Sequence, residues 1–484
     1  MKLLKTLLYS FISITIISCS SKEEVPANIE VQDFVWKGLN AYYLWQDQIP
    51  DLADRRFNND QELYSYLSSF NDPNNLFNSL LVQTDTISKL IPNLATITTP
   101  VTRNRTTNGM EFGIIAQPGS TDNVIGYITH ILPNSDAVTK NIVRGEFFYA
   151  VDDTQLTRSN FEALLENGAN NFTLNMANFD GTNVTPNAKN VDLVKTSYDY
   201  PGVFKEQVIV DGTNTIGYLM YNNDFSTNYL ADLNSSFANF KGAGTNQLVL
   251  DLRYNIGGGS FAKNITKIAS MITGQFTDEV FIKEQWNTKA QAWFEANQPD
   301  SLLTKFTDKL NTTTTINSLN LTDVYIILNG VDHNASSAIE LLINSLKAHI
   351  NVHVIGTQSI GRNMGSITLY NSEDYNFDFK SNNHTFALQP VALTFLNKNN
   401  ETYDSGISPN MTLCTNEDAL NLGVLGTNTD PILNRVLNYI STGSAGVNPP
   451  CNVDNFEYLY NSITRQKEID RGVFITQVLP NTNR

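Results

Sequence analysis

Val324-Tyr-Ile-Ile-Leu328, Ala335-Ser-Ser-Ala-Ile-Glu-Leu-Leu-Ile-Asn-Ser-Leu346 and Val352-His-Val-Ile355 follow one another with little between them. The first is an apolar run of strand length ended by Asn329-Gly330, and the last is a second such run closed by Gly356. Between them Ile339, Leu342, Ile343 and Leu346 recur at the spacing of one helical face. Strand, helix and strand in this order make a βαβ crossover, so the two strands run parallel and finish at one sheet edge. Open α/β sheets place their ligands there. Ser337 enters the helix at that edge, and Arg362, 25 residues further on, follows the second strand. A hydroxyl at a helix N-terminus lies beside N–H groups without intrahelical acceptors, a setting that suits a nucleophile and its oxyanion.

Gln247-Leu-Val-Leu-Asp-Leu-Arg253 reads as a third buried strand, followed by Tyr254-Asn-Ile-Gly-Gly-Gly259 and a helix from Phe261 to Ile272. A glycine run in a strand-to-helix turn leaves backbone N–H groups open to a bound group. A phosphate cradle is one use of such a turn, but the lysine and Ser/Thr of a P-loop do not follow it, and a dinucleotide fingerprint is absent. Oxyanion duty fits better.

Asp251-Leu-Arg-Tyr-Asn-Ile-Gly-Gly258, Asn334-Ala-Ser-Ser-Ala-Ile-Glu340 and Val354-Ile-Gly-Thr-Gln-Ser-Ile-Gly-Arg362 together resemble the C-terminal processing (tail-specific) serine peptidases, from about residue 28 to about residue 440. The resemblance implies a multidomain α/β chain whose nucleophile is a serine paired with a lysine. Aligning Glu340 with the family's glutamate, three residues after the nucleophile, selects Ser337 over Ser336. It further implies an oxyanion hole from the N–H groups of Ala338 and of Gly257 or Gly258. One departure stands out: the lysine position holds Arg362. A lysine can be desolvated until neutral and then accept the serine proton, whereas arginine stays protonated to a pKa above roughly 12. Ser366 stands where the family often has glutamine.

Two functions therefore remain open: a serine endopeptidase acting on polypeptides with another base, or a disabled relative that captures peptide C-termini without cutting them. His333 is a candidate base by proximity, or a turn residue. Lys347, His349 and His353 fall late in the helix or beyond it and read as surface residues. Glu340 either bonds nearby backbone or offsets the first-turn dipole. Asp251 and Arg253 read as a structural pair at the strand end before they read as substrate contacts.

Residues 108–197 resemble a PDZ domain. Phe112-Gly113-Ile114-Ile115 matches the segment that captures a peptide tail by backbone N–H groups and strand addition. Asn141 stands at a glycine position, as a residue that tolerates a left-handed turn. The alternative is a structural β domain with a blocked groove. Residues 198–441 form the protease-like domain, closed by a helix over Asp430 to Ile440, and Tyr375 to Phe379 and Val391 to Phe395 alternate like hairpin strands. Residues 28–83 read as a helical N-terminal domain resembling that of the family's bacterial lipoprotein branch. Residues 84–107, rich in Thr, Asn and Pro, read as a linker, and 442–484 as a polar, poorly ordered tail.

Lys2 and Lys5 precede an apolar stretch, Leu7 to Ile17, too short to span a bilayer. Ile16-Ile-Ser-Cys19 resembles a lipobox. This implies a signal peptide over 1–18, lipidation of Cys19, a tether over 19–27 and an extracytoplasmic protein held to the membrane by lipid alone. Cys414 and Cys451 then remain as an even pair, bridged or as two free thiols. A net charge of −16 and the lack of a basic patch argue against nucleic acid as a partner. No Cys/His set has metal-ligand spacing, and no cofactor motif is present.

Overall fold

A computed structural model describes residues 24–98, 104–255, 260–328, 336–447, 456–463 and 472–475. At its centre is a six-stranded sheet in the order Lys205–Asp211, Asn214–Met220, Gln247–Asp251, Asp323–Ile327, Asn351–Gly356 and Met411–Thr412. The first two strands form an antiparallel hairpin, and every later pairing is parallel. Alternation along the strands divides the core. Leu248, Leu250, Val324, Ile326, Val352 and Val354 pack under the helices Leu230–Gly242, Ala262–Ile272 and Ser337–Lys347. Val249, Tyr325, Ile327 and Ile355 face the opposite side, against Leu433, Val436 and Leu437 of the helix Pro431–Thr442. With both faces covered, a parallel strand must be apolar throughout, which is why Val324 to Leu328 shows no polar alternation.

A second sheet orders Ser260–Phe261, Val473–Phe474, Gly365–Ser366, Val391–Leu396, Val280–Trp286 and Leu303–Lys305. The N-terminal helix Glu30–Tyr42 buries Phe34, Val35, Leu39 and Tyr42 in the core that it shares with the central sheet. Asn287 fastens it: the side-chain amide donates to the Ala41 and Tyr43 carbonyls at 2.9 and 3.1 Å while its oxygen caps the helix Thr288–Asn297.

The third unit is a β domain with its own core, built on Met110–Ala116, Val124–Ile131, Phe147–Val151, Asn171–Phe179 and Val184–Val194. Asn141 adopts the left-handed conformation expected of it, with φ 53° and ψ 39°.

Three expectations need correction. Residues 84–107 are not simply a linker. Lys89–Ile91 pairs with Ala387–Gln389, and Asn104–Thr107 pairs with Thr196–Asp199. The tail is not without order, since Tyr458–Asn461 and Val473–Phe474 are strands in two different sheets. Tyr375 to Phe379 is not a hairpin strand: Tyr375 has φ 59°, which breaks an extended run, and Phe377–Phe379 is a 3-10 turn.

Candidate active site

The two adjacent serines are used differently. Ser336 is extended and caps the helix, its hydroxyl accepting from the Ile339 N–H at 3.4 Å and its carbonyl from the same group at 2.9 Å. Ser337 is the first helical residue and is 1% exposed. Ala338 follows in the first turn, where N–H groups lack intrahelical acceptors.

Glu340, one turn further on and fully buried, ties this helix start to the arginine turn. Its two carboxylate oxygens accept the N–H groups of Gly361 at 2.6 Å and Arg362 at 2.8 Å. Burial pushes this carboxyl above its ordinary range, against the pull of the Ser359 hydroxyl, the two amides and the Arg362 charge. Of the two earlier readings of Glu340, the bond to nearby backbone is the one observed. Gly361, at φ +90°, lets that turn pass against another loop. A Cβ there would lie 2.3 Å from the Asp404 carbonyl oxygen, and one on Gly406 would lie 2.0 Å from that of Ser359. Two backbones in contact leave no room for a side chain on either.

Asp251 and Arg253 form the structural pair expected at the third strand, within a larger buried set. The Arg253 guanidinium lies 2.8 Å from Asp251, 2.9 Å from Asp430 and 2.9 Å from Glu417. Arg144 of the β domain reaches the same Glu417 at 2.6 Å and the Tyr254 hydroxyl at 2.6 Å, and Tyr254 also donates to Glu417. Burial alone would raise the Glu417 carboxyl, but Arg144, Arg253 and Tyr254 hold it down at about 2. Nothing in the local pattern marked Glu417 or Arg144, because their meeting depends on how two domains dock.

Phe112, Gly113, Ile114 and Ile115 lie on the strand Met110–Ala116, whose inner neighbour is Val124–Ile131 and whose outer neighbour is Tyr458–Asn461. A cavity of about 690 Å³ opens beside it, lined in part by Met110, Phe112, Glu166, Phe172 and Tyr460. The alternation in Tyr458-Leu-Tyr460 was the available signal for this outer strand.

Several expected residues lie elsewhere. His349 is packed rather than at the surface, its Nε2–H donating to the Val280 carbonyl at 3.1 Å between Phe276 and Phe306. His353 bonds Asp323 and Tyr439, away from the carboxyl ends of the strands. Gly257, Gly258, His333, Cys19 and Cys451 lie outside the described residues. Cys414 is disulfide-bonded, and its partner is likewise outside them. Among the described residues no group of His, Cys, Asp and Glu could hold a metal ion, and no helix is long and apolar enough to cross a membrane.

Residues 30–88 match the Peptidase S41 N-terminal domain and residues 215–413 match Peptidase family S41, together more than half of the chain. A chain from Bacteroides fragilis assigned to the S41 proteases shares the fold, with 21% identity, a TM-score of 0.64, and coverage of 84% of this chain and 97% of that one. The photosystem II D1 C-terminal processing protease aligns at 15% identity and a TM-score of 0.41, over 81% of this chain and 94% of that one. No curated protein sequence matches. A parallel-sheet unit with a serine at a helix start, preceded by a helical segment, and these matched models carry one conclusion: the chain belongs to peptidase family S41.

Proposed function

We propose that the chain is a serine endopeptidase that cleaves polypeptides in the cell envelope, held there by a lipid on Cys19. The observation that carries this is the Glu340 clamp, which hangs the Gly361-Arg362 turn on the same helical turn that begins with Ser337. Ser336 caps the helix, which supports Ser337 as the nucleophile. Its oxygen attacks the scissile carbonyl and gives up its proton to a base. The N–H groups of Ala338 and of Gly257 or Gly258 hold the oxyanion until the amine leaves with a proton. The base is not Arg362, because a guanidinium stays protonated across the accessible pH range. Arg362 serves as a fixed positive charge beside the oxyanion or a substrate carboxylate.

That same residue favours a second reading, in which the peptidase is disabled and retained for binding peptide tails along Phe112–Ile115. One comparison separates the two. Unstructured polypeptide is incubated with wild type, Ser337→Ala and Arg362→Lys. Cleavage by wild type that Ser337→Ala abolishes supports the enzyme. Cleavage by Arg362→Lys alone supports the disabled form, and cleavage that survives Ser337→Ala refutes the assignment of the nucleophile.

A further inference from the structure

The described part of the tail touches both places where an extended peptide would have to lie. Tyr458–Asn461 pairs antiparallel with the recognition strand, Tyr458 opposite Ile115, Tyr460 opposite Ile114 and Asn461 opposite Gly113. The Ala116 N–H extends the ladder by donating to the Glu457 carbonyl at 2.9 Å. The side chains fit as well. The Tyr460 ring packs 6.1 Å from Phe112 and 5.3 Å from Phe161, and Tyr458 meets Tyr127 at 6.3 Å. Ser462, fully buried, accepts from the Phe112 N–H at 2.8 Å and donates to Glu111 at 2.5 Å. The backbone donor that a captured peptide would seek is thus already satisfied, by an internal hydroxyl rather than by a chain end.

The second contact lies on the strand that follows Arg362. Val473–Phe474 runs parallel to Ser260–Phe261 and to Gly365–Ser366. Ser260–Phe261 follows directly on Ile256-Gly-Gly-Gly259 in the sequence, and Gly365–Ser366 begins three residues after Arg362. Among the described residues, Val473–Phe474 is the strand that joins Ser260–Phe261 to this sheet. Val473 is fully buried, and the Ile475 N–H donates to the Ser366 carbonyl at 3.1 Å. Ser337 is itself shut from water in this arrangement.

We infer that Phe456–Ile463 and Gly472–Ile475 are a tethered ligand, occupying in cis the strand edge that recognises extended peptides and the edge of the strand that follows Arg362. The inference rests on reading Phe112–Ile115 as a peptide-recognition edge. The occupant defines the chemistry of the peptide that displaces it: extended, antiparallel, with an aromatic side chain in the Phe112–Phe161 pocket and a hydroxyl two residues later on Glu111. A tether raises the local concentration of its own ligand to the millimolar range, so a free peptide competes at a disadvantage of about 10- to 100-fold.

The test uses a fluorescein-labelled peptide with the sequence of Phe456–Ile463 and the full-length Ser337→Ala chain, which removes cleavage from the readout. Anisotropy titrations compare this chain with one that also carries Tyr460→Ala and Ser462→Ala. The tail-weakened chain is expected to bind the peptide about 10- to 100-fold more tightly. Equal affinity overturns the inference, as does absence of binding to a tail-weakened chain that keeps its parent's melting profile. A second measurement needs no tail substitution: saturating peptide speeds amide hydrogen exchange across 458–461 of the Ser337→Ala chain. Unchanged exchange there overturns the inference too. Failure here and failure of the peptidase reading are distinct. Tail-dependent binding without hydrolysis by wild type supports the tethered ligand and removes the enzyme, whereas hydrolysis indifferent to the tail substitutions removes the tethered ligand and keeps the enzyme.

Discussion

Replacing Arg253 by methionine removes the cation at the centre of the buried charge cluster while nearly conserving volume. The Arg253 side chain is 0% exposed and lies within 2.9 Å of Asp251, Asp430 and Glu417. Methionine leaves little cavity, so the loss is electrostatic: Asp251 and Asp430 keep their burial without this cation, and Glu417 keeps Arg144 and the Tyr254 hydroxyl. Removing one partner from a buried ionic set costs about 3–5 kcal/mol. Glu417 shows the same direction. Its carboxyl is held at about 2, against an ordinary 4.5, which at about 1.4 kcal/mol per pH unit is about 3–4 kcal/mol shared among Arg144, Arg253 and Tyr254, so Arg253 accounts for only part of it. The pH sign follows. A depressed carboxyl stabilises fully above about pH 4.5, and that contribution fades as the pH falls through about 2. Asp430 works the other way, because burial outweighs Arg253 and holds it above its ordinary range. In the variant the carboxylates take up protons more readily, so the stability gap from wild type narrows on going from pH 7 to pH 4.5. Urea unfolding followed by tryptophan fluorescence at both pH values measures it. A gap under about 1 kcal/mol at pH 7, or one that widens on acidification, refutes the reasoning.

Three further perturbations follow from the same contacts. Gly361→Ala puts a Cβ 2.3 Å from the Asp404 carbonyl oxygen at a φ that non-glycine residues rarely adopt; the combined strain and overpacking cost about 2–4 kcal/mol, read from the urea midpoint. Glu340→Gln turns an amide NH2 toward one of the two N–H groups the carboxylate now accepts. A buried donor left unsatisfied costs about 1–3 kcal/mol, so hydrogen exchange at the Gly361 and Arg362 amides should speed up about 10- to 100-fold, and unchanged exchange there counts against the clamp. Asn287→Ala removes a helix cap and two bonds to the N-terminal helix; the expected loss is about 2–4 kcal/mol, and limited proteolysis should release the segment before residue 60 first.

The parallel sheet was legible because both its faces are covered. Apolar runs such as Val324 to Leu328, followed by a helix with a one-sided stripe, leave few other topologies, and the strand ends then locate Ser337 and Arg362. The choice between Ser336 and Ser337 was not fixed by local pattern, since either residue type can cap a helix; it came from a resemblance, and the structure shows only that Ser336 is the one that caps. What stayed hidden was long-range. Arg144 meets Glu417 only once two domains dock, and neither residue carries a local signature. Tyr458-Leu-Tyr460 alternates like a strand but sits among polar residues, so its partner could not be read from its own segment. Lys89–Ile91 was masked by a composition typical of loops, although three residues suffice to pair with Ala387–Gln389.

The position of Val473–Phe474 governs how the chain can be made. Its sheet companions Ser260–Phe261 and Gly365–Ser366 leave the ribosome long before it does, and until then both present open edges to whatever is nearby. The sheet therefore stays incomplete until residues 473 and 474 have emerged. A nascent chain in that condition is exposed to mispairing with its neighbours. A stop codon placed before residue 473 yields a product that never outgrows this stage.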